Sequence, residues 1–316
     1  MPHLPFLDAN TIEQLHHYPS LIDELGKALS AQRITYPLRH HHDYSEENTL
    51  LIMPSWEDGR DVGIKLVTVT PANRGTKMPS IQGVVVYFDA QIGSPLALFD
   101  AAALTRKRTA AASALASRFL SRPDSRRLLV LGTGALAPEL IRAHCTIRPI
   151  EEAFIWGRTF EKAQRIAKDF EEAKIPITSL EEFDTMAPSM DIISTGTMAT
   201  EPLLYGKHLQ AGQHLDLVGS YKKHMREASD EVVQEVSIFV DNRTGALRES
   251  GDLYLPLQAG IIKEADVCGE LHELCAGDHP GRSRAEEITL FKSVGFALED
   301  LVAARFYYQR FLATQA

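Results

Sequence analysis

At 316 residues, with 44% hydrophobic and 24% charged side chains, the chain is long enough for two domains with substantial cores. A formal charge of −9 argues against nucleic acid or an anionic membrane surface as the main partner. No apolar run approaches a membrane span, Met1-Pro-His-Leu-Pro5 lacks the charged and apolar segments of a secretion signal, and Cys145, Cys268 and Cys275 show no C-x-x-C spacing, so a cytoplasmic protein with free thiols is expected.

Cap-type residues at Asp8 and apolar positions Ile12, Leu15, Leu21, Ile22, Leu25 and Leu29 predict two short helices split near Pro19. Strand texture follows at residues 50–53 and 62–70. Residues 83–89 and 95–100 flank Ala90-Gln-Ile-Gly93 and read as a hairpin, giving a mixed or antiparallel sheet. Ala101 to Leu120 is Ala-rich, free of Gly and Pro, and reads as a helix. From Leu128 the pattern becomes alternating. Apolar strands at 128–131, 153–156, 175–178, 191–195 and 214–219 are interspersed with helical stretches at 139–144 and 159–173. A helix at 231–236 leads to a strand at 237–241. Such alternation specifies a doubly wound parallel sheet. Residues 277–283 form a loop. A strand-like stretch, 288–295, precedes a terminal helix, 297–312, with Leu298, Leu301, Val302 and Phe306 on its apolar stripe.

The turn Gly132-Thr-Gly134-Ala-Leu-Ala137 lies between a buried strand and a helix, the context that makes a G-x-G-x-x-A pattern informative. Gly132 permits the tight turn, Gly134 lets backbone N–H groups approach a pyrophosphate, and Ala137 lets the helix sit close to the strand. In an NAD enzyme an acid at the end of the second strand grips the ribose. Here that strand ends Phe154-Ile-Trp-Gly-Arg-Thr159, with no carboxylate. Arg158 stands in its place and Lys162 follows one turn on. A guanidinium suits a 2′-phosphate, so NADPH is expected as the cofactor and NADH as a weaker donor.

Several stretches together resemble the ornithine cyclodeaminase/μ-crystallin family, over about Tyr36 to Ala304. They are Tyr36-Pro-Leu-Arg39, Gly63-Ile-Lys65-Leu-Val-Thr-Val-Thr-Pro71, Leu104-Thr-Arg-Lys-Arg108-Thr-Ala-Ala-Ala-Ser113, Leu131-Gly-Thr-Gly134, Trp156-Gly-Arg158-Thr159 and Glu287-Ile-Thr-Leu-Phe-Lys-Ser-Val-Gly295-Phe-Ala-Leu-Glu-Asp300. The resemblance implies an α/β protein with a central Rossmann domain, residues 121–285. It also implies an α+β substrate-binding and dimerisation domain built from both chain ends, residues 1–120 and 286–316. A homodimer acting on a small cyclic imino acid by hydride transfer is implied as well. Arg39, Lys65 and Arg108 match the family's cationic substrate site, with Lys65 as ligand and proton donor. Cofactor contacts are implied at Gly132, Thr133, Gly134, Ala135 and Leu136, and at Trp156, Gly157, Arg158 and Thr159. They are implied further along at Thr195, Gly196, Thr197, Val218 and Gly219, and at Ser293, Val294 and Gly295. Asp300 also matches a family carboxylate, though capping or bonding within the last helix explains it equally well.

One departure bears on the reaction. Ornithine cyclodeaminases carry an aspartate after the Val-Gly pair of the fifth Rossmann strand; here Val218-Gly219-Ser220 leads to Tyr221, and neither Asp216 nor Asp230 is an obvious stand-in. Imine reductases of the family can lack that acid, and Met225-Arg-Glu-Ala228 also looks like theirs. The expected reaction is reduction of Δ1-pyrroline-2-carboxylate, and of Δ1-piperideine-2-carboxylate, to L-proline or L-pipecolate. An ornithine or lysine cyclodeaminase, an alanine-type dehydrogenase and an NADPH-dependent binding protein remain open. His40-His41-His42 does not read as a metal site, because neighbouring side chains of an extended segment face opposite ways. Lys222, Lys223, His224 and Arg226 read as a solvated or active-site loop.

Overall fold

A computed structural model describes residues 4–73, 76–170 and 176–315. In chain order the first elements are β1 (Phe6–Leu7), α1 (Ala9–Leu15), α2 (Tyr18–Ala31), β2 (Ile34–Thr35), β3 (His40–Asp43), β4 (Thr49–Glu57), β5 (Asp61–Val69), β6 (Ile81–Asp89), β7 (Pro95–Asp100) and α3 (Ala101–Leu120). Next come β8 (Arg127–Leu131), α4 (Ala137–Ile147), β9 (Glu152–Trp156), α5 (Phe160–Asp169), β10 (Ile177–Leu180), β11 (Ile192–Thr195), β12 (His214–Leu217), α6 (Asp230–Glu235) and β13 (Ser237–Val240). Last are α7 (Arg243–Glu249), α8 (Gly251–Gln258), β14 (Val267–Glu270), α9 (Leu271–Ala276), β15 (Thr289–Lys292) and α10 (Ala297–Gln315). The predicted continuation of α5 to Ala173, the predicted strand start at Ile175 and Met1 to His3 lie outside the described residues. No helix among the described residues is long and apolar enough to cross a membrane.

The chain divides into two compact units, residues 1–109 with 296–316, and residues 110–295. The first holds a largely antiparallel sheet in the order β1-β7-β6-β5-β4-β2, with β3 also on β4. The long β-branched strands are therefore interior. The edges are the two-residue strands β1 and β2 and the short β3, which limits unpaired backbone. Helix α2 starts where the split was expected: His17 caps Ser20 N–H, and Pro19 sits in the first turn, where its missing N–H costs nothing. Its spacing of Leu21, Ile22, Leu25 and Leu29 makes one fully buried face.

Alternation along β5 separates two faces. Asp61, Gly63, Lys65 and Val67 point to the buried side, where α10 packs. Gly63 admits that helix closely, since a Cβ there would lie 3.0 Å from the Leu301 side chain. Arg305 of α10 clamps the same face, with Nε 2.6 Å from Asp61 Oδ2 and Nη2 2.7 Å from Glu57 Oε2. On the opposite face Ile52, Leu66 and Val84 fall in one register row, and Pro54, Ile64, Val86 and Leu98 in the next. All of these are only half-buried. Among the described residues that face is apolar and only partly covered.

The second unit is an eight-stranded parallel sheet in the order β10-β9-β8-β11-β12-β15-β13-β14. The direction of winding reverses at β8, between β9 and β11, the switch point where open α/β sheets form a crevice. Leu128 to Leu131 are completely buried, as an interior parallel strand demands. The expectation for residues 286–295 differs at one element: β15 pairs with β12 and β13, so this segment completes the parallel sheet. Its local pattern reads as a strand but carries no label for which sheet it joins.

Candidate functional site

In the first unit, mid-strand Lys65 meets the first turn of α10. Its Nζ lies 2.7 Å from Asp300 Oδ2, and Arg108 Nε of α3 lies 3.0 Å from Asp300 Oδ1. Arg108 Nη1 also pairs with Glu299. Lys65, Arg108, Glu299 and Asp300 are all buried. Burial opposes charge on Asp300, but Arg108 and Lys65 outweigh it and hold the carboxyl below the usual aspartate range. Burial, with Arg108 and Arg39 adding repulsion, brings Lys65 down to about 8, against the pull of Asp300. Half-buried Arg39, just before β3, is thus near enough to act on the ammonium. The three cations singled out in the sequence belong to one electrostatic cluster. Glu299 and Asp300 are its acidic members; of these only Asp300 drew notice in the sequence, without a partner.

In the second unit a cleft of about 580 Å³ opens at the switch point. Its walls include Gly132, Thr133, Gly134, Trp156, Gly157, Arg158, Thr159, Gly196 and Thr197, with Lys162 and Glu201 beside them. Gly132 has φ +124°, a conformation that glycine alone adopts cheaply, and a Cβ there would lie 2.8 Å from the Gly196 carbonyl oxygen. A Cβ on Gly134 would meet nothing within 4 Å, so the turn leaves open space where a pyrophosphate would rest. At the start of α4, Ala137 N–H donates to the Gly134 carbonyl, Pro138 carries no N–H and Glu139 N–H donates to the Leu136 carbonyl, so what the helix offers an anion here is its dipole. Arg158 is exposed and has no ion-pair partner among the described residues. These features fit a dinucleotide. Ala135, Leu136, Thr195, Val218, Gly219, Ser293, Val294 and Gly295 are not among the cleft's walls; Thr195, Val218, Ser293 and Gly295 are buried.

The ornithine cyclodeaminase/mu-crystallin family model matches residues 7–315. The chain belongs to this family. A Bacillus cereus relative named Delta(1)-pyrroline-2-carboxylate reductase is 38% identical over 96% of this chain and 95% of its own. Protein SAR DEFICIENT 4 of Arabidopsis thaliana is 39% identical over 98% of both chains. The structure of Thermococcus litoralis Delta(1)-pyrroline-2-carboxylate reductase, in complex with NADH and L-proline, superposes with TM-score 0.94 at 31% identity and covers 99% of each chain.

Against that family background, the acids near Tyr221 are already committed. Asp216 is fully buried, 2.6 Å from the Ser194 hydroxyl and 3.2 Å from His144 Nε2. Asp230 is ion-paired with Arg226. Tyr221 is half-buried, with the Lys222 ammonium 5.9 Å above its ring. Lys222, Lys223 and His224 are exposed. The His40–His42 run is an exposed strand, and no metal-binding cluster of His, Cys, Asp or Glu occurs among the described residues.

Proposed function

We propose that the protein reduces a cyclic imino acid, Δ1-pyrroline-2-carboxylate and also Δ1-piperideine-2-carboxylate, to L-proline or L-pipecolate, with NADPH preferred over NADH. The observation that carries this reading is the buried lysine of low proton affinity set between Arg108, Arg39 and Asp300. A carboxylate bonded to an imine carbon asks for that set: fixed cations for the acid and one dischargeable proton for the nitrogen. Names of the similar proteins from Bacillus cereus and Thermococcus litoralis support the same substrate class.

Arg39 and Arg108 hold the substrate carboxylate. Arg108 has five N–H donors, of which Asp300 and Glu299 engage Nε and Nη1, leaving Nη2 for a ligand. Lys65 gives its proton to the imine nitrogen, which makes the adjacent carbon electrophilic, and is recharged from solvent. Asp300 keeps Lys65 and Arg108 in register and limits the loss of proton affinity at Lys65. When bound, the reduced nicotinamide supplies the hydride that ends on that carbon. Gly132 to Leu136, with Trp156 to Thr159, would hold the pyrophosphate and adenosine half; Thr195 to Thr197, Val218, Gly219 and Ser293 to Gly295 would face the nicotinamide half. Arg158 and Lys162 read the 2′-phosphate.

The half-buried apolar face around Ile64 and Val86 supports a homodimer, because a face of this kind marks a protein contact on a stable domain. The edge strands do not supply that argument, since they are short. The test of the substrate reading is NADPH oxidation with five- and six-membered cyclic imino acids, with the product resolved by chiral chromatography. Turnover to the L-amino acid is expected. No turnover with any imine would favour a binding protein.

A further inference from the structure

Beyond the cleft, three loops at the carboxyl ends of β11, β12 and β15 are tied to buried carboxylates that the reaction does not use. Glu227 is completely buried. Its Oε1 accepts from Thr197 N–H at 2.8 Å and from the Thr197 hydroxyl at 2.7 Å. Its Oε2 accepts from Gly219 N–H at 2.8 Å and Ser220 N–H at 3.3 Å. Asp241 does the same for the third loop, accepting from Val294 N–H at 2.8 Å and Gly295 N–H at 2.6 Å. Between them lies Lys292, also completely buried. Its Nζ donates to the Leu217 carbonyl at 3.0 Å and sits 3.3 Å from Asp252 Oδ2. Asp252 Oδ1 in turn accepts from Glu227 N–H at 2.6 Å and Ala228 N–H at 3.1 Å.

Burying this many charges is expensive, and an apolar core of the same volume would hold a sheet at least as well. What a carboxylate adds is four acceptor positions on two oxygens, and Glu227 uses them to bind two loops at once. The loops are already in backbone contact: a Cβ on Gly219 would lie 2.0 Å from the Thr197 carbonyl oxygen. Burial raises the Glu227 carboxyl and Asp252 adds to it, while Lys292 and the Thr197 bonds favour the charged form.

We propose that Glu227, anchored through Asp252 and Lys292, is a positioning residue that locks residues 195–197 and 218–220 into one rigid wall for the nicotinamide half of the cofactor. The proposal rests on the cofactor reading above. It is specific to a carboxylate. A glutamine offers one accepting oxygen and turns its own N–H groups against the donors of the other loop.

The test is Glu227→Gln, read first in cofactor-free protein by hydrogen exchange. Amides at Thr197, Gly219 and Ser220 should exchange at least about tenfold faster, with β8 unchanged. In turnover, kcat for the imine should fall about tenfold or more with substrate KM nearly unchanged, because the cationic cluster is intact and only hydride geometry suffers. NADPH affinity, read by fluorescence titration, should weaken. Thr197→Val, which removes the hydroxyl's bond to Glu227, the longer one it accepts from Ala199 N–H and little volume, serves if the first variant does not fold. Faster exchange at Gly219 and Ser220 is expected there, transmitted through the shared carboxylate. Unchanged exchange at Gly219 and Ser220 in Thr197→Val, or at both loops in Glu227→Gln, overturns the proposal. Faster loop exchange with unaltered kcat and NADPH affinity reduces Glu227 to scaffolding and overturns it too. Wild-type protein that binds neither NADPH nor NADH overturns the cofactor reading itself, and with it the positioning role.

Discussion

Lys65 is where the pH dependence of turnover should reside. With burial and two arginines bringing it to about 8, it is a charged donor below that pH and a spent one above it. The kcat for imine reduction should therefore decline as pH rises through about 8, and Lys65→Met should lower it by roughly 10²- to 10⁴-fold and flatten the profile. A wild-type profile with no inflection there, or a variant that keeps its turnover, would place the donor elsewhere. Arg158 makes a second residue-scale claim. Arg158→Ala should weaken NADPH about 10- to 100-fold in calorimetric titration, as expected for a lost charge-assisted bond, and NADH hardly at all. Equal losses for both cofactors would show that Arg158 does not read the 2′-phosphate. Arg158 could be named from its place at the end of the second Rossmann strand, whereas Arg39, Lys65 and Arg108 could be named only through the family resemblance, since a mid-strand lysine by itself reads as a surface residue. Their partners could not. Arg108 and Asp300 are 192 positions apart, and only folding makes them neighbours. Glu227 lies in Met225-Arg-Glu-Ala228, which the sequence marks only as a family likeness; its role emerges only through bonds to Thr197, 30 positions away.

The turn between β8 and α4 offers a paired test of structure against binding. Gly132→Ala meets both an unfavourable φ and the Gly196 carbonyl, so it should cost about 1–3 kcal/mol and lower the melting temperature by several degrees. Gly134→Ala meets open space, so it should leave stability within about 0.5 kcal/mol yet impair cofactor binding, because the added methyl fills the pyrophosphate's place. A Gly134→Ala protein that binds NADPH normally would remove the turn from the cofactor site. Most elements were legible because burial on both faces writes apolar runs for β8 and β9, shorter apolar stretches mark β11 and β12 despite the buried Ser194, Thr195, His214 and Asp216, and a long Ala-rich stretch marks α3. Elements α7, α8, β14 and α9 were not. They are short, and β14 carries only two buried residues, Val267 and Gly269, in a Val-Cys-Gly-Glu sequence with no distinctive period. β3 was hidden by its three histidines, which sit on an exposed edge where no apolar alternation is required.

At the scale of the molecule, the partly covered apolar face of the antiparallel sheet predicts association. Light scattering should give twice the 35.1 kDa of one chain, and Ile64→Lys, on that face, should shift the species toward monomer. A wild-type protein that stays monomeric at micromolar concentration would contradict this. The family resemblance implies a homodimer without a physical reason; the pairing order leaves only short strands at the sheet's edges, so the face supplies that reason. The central claim concerns the reaction. Imine reduction needs docking, one hydride and one proton, whereas cyclodeamination also needs hydride abstraction from an amine, ring closure and ammonia loss, each with proton movement; here Tyr221 stands where the cyclodeaminases carry an aspartate, and Asp216 and Asp230 are already bonded to Ser194 and Arg226. The most direct measurement compares two reactions of the wild-type protein: NADPH oxidation with Δ1-pyrroline-2-carboxylate, and ammonia release from ornithine with NAD. Rapid formation of L-proline from the imine, with negligible ammonia from ornithine, is the predicted result; efficient ammonia release beside sluggish imine reduction would contradict it.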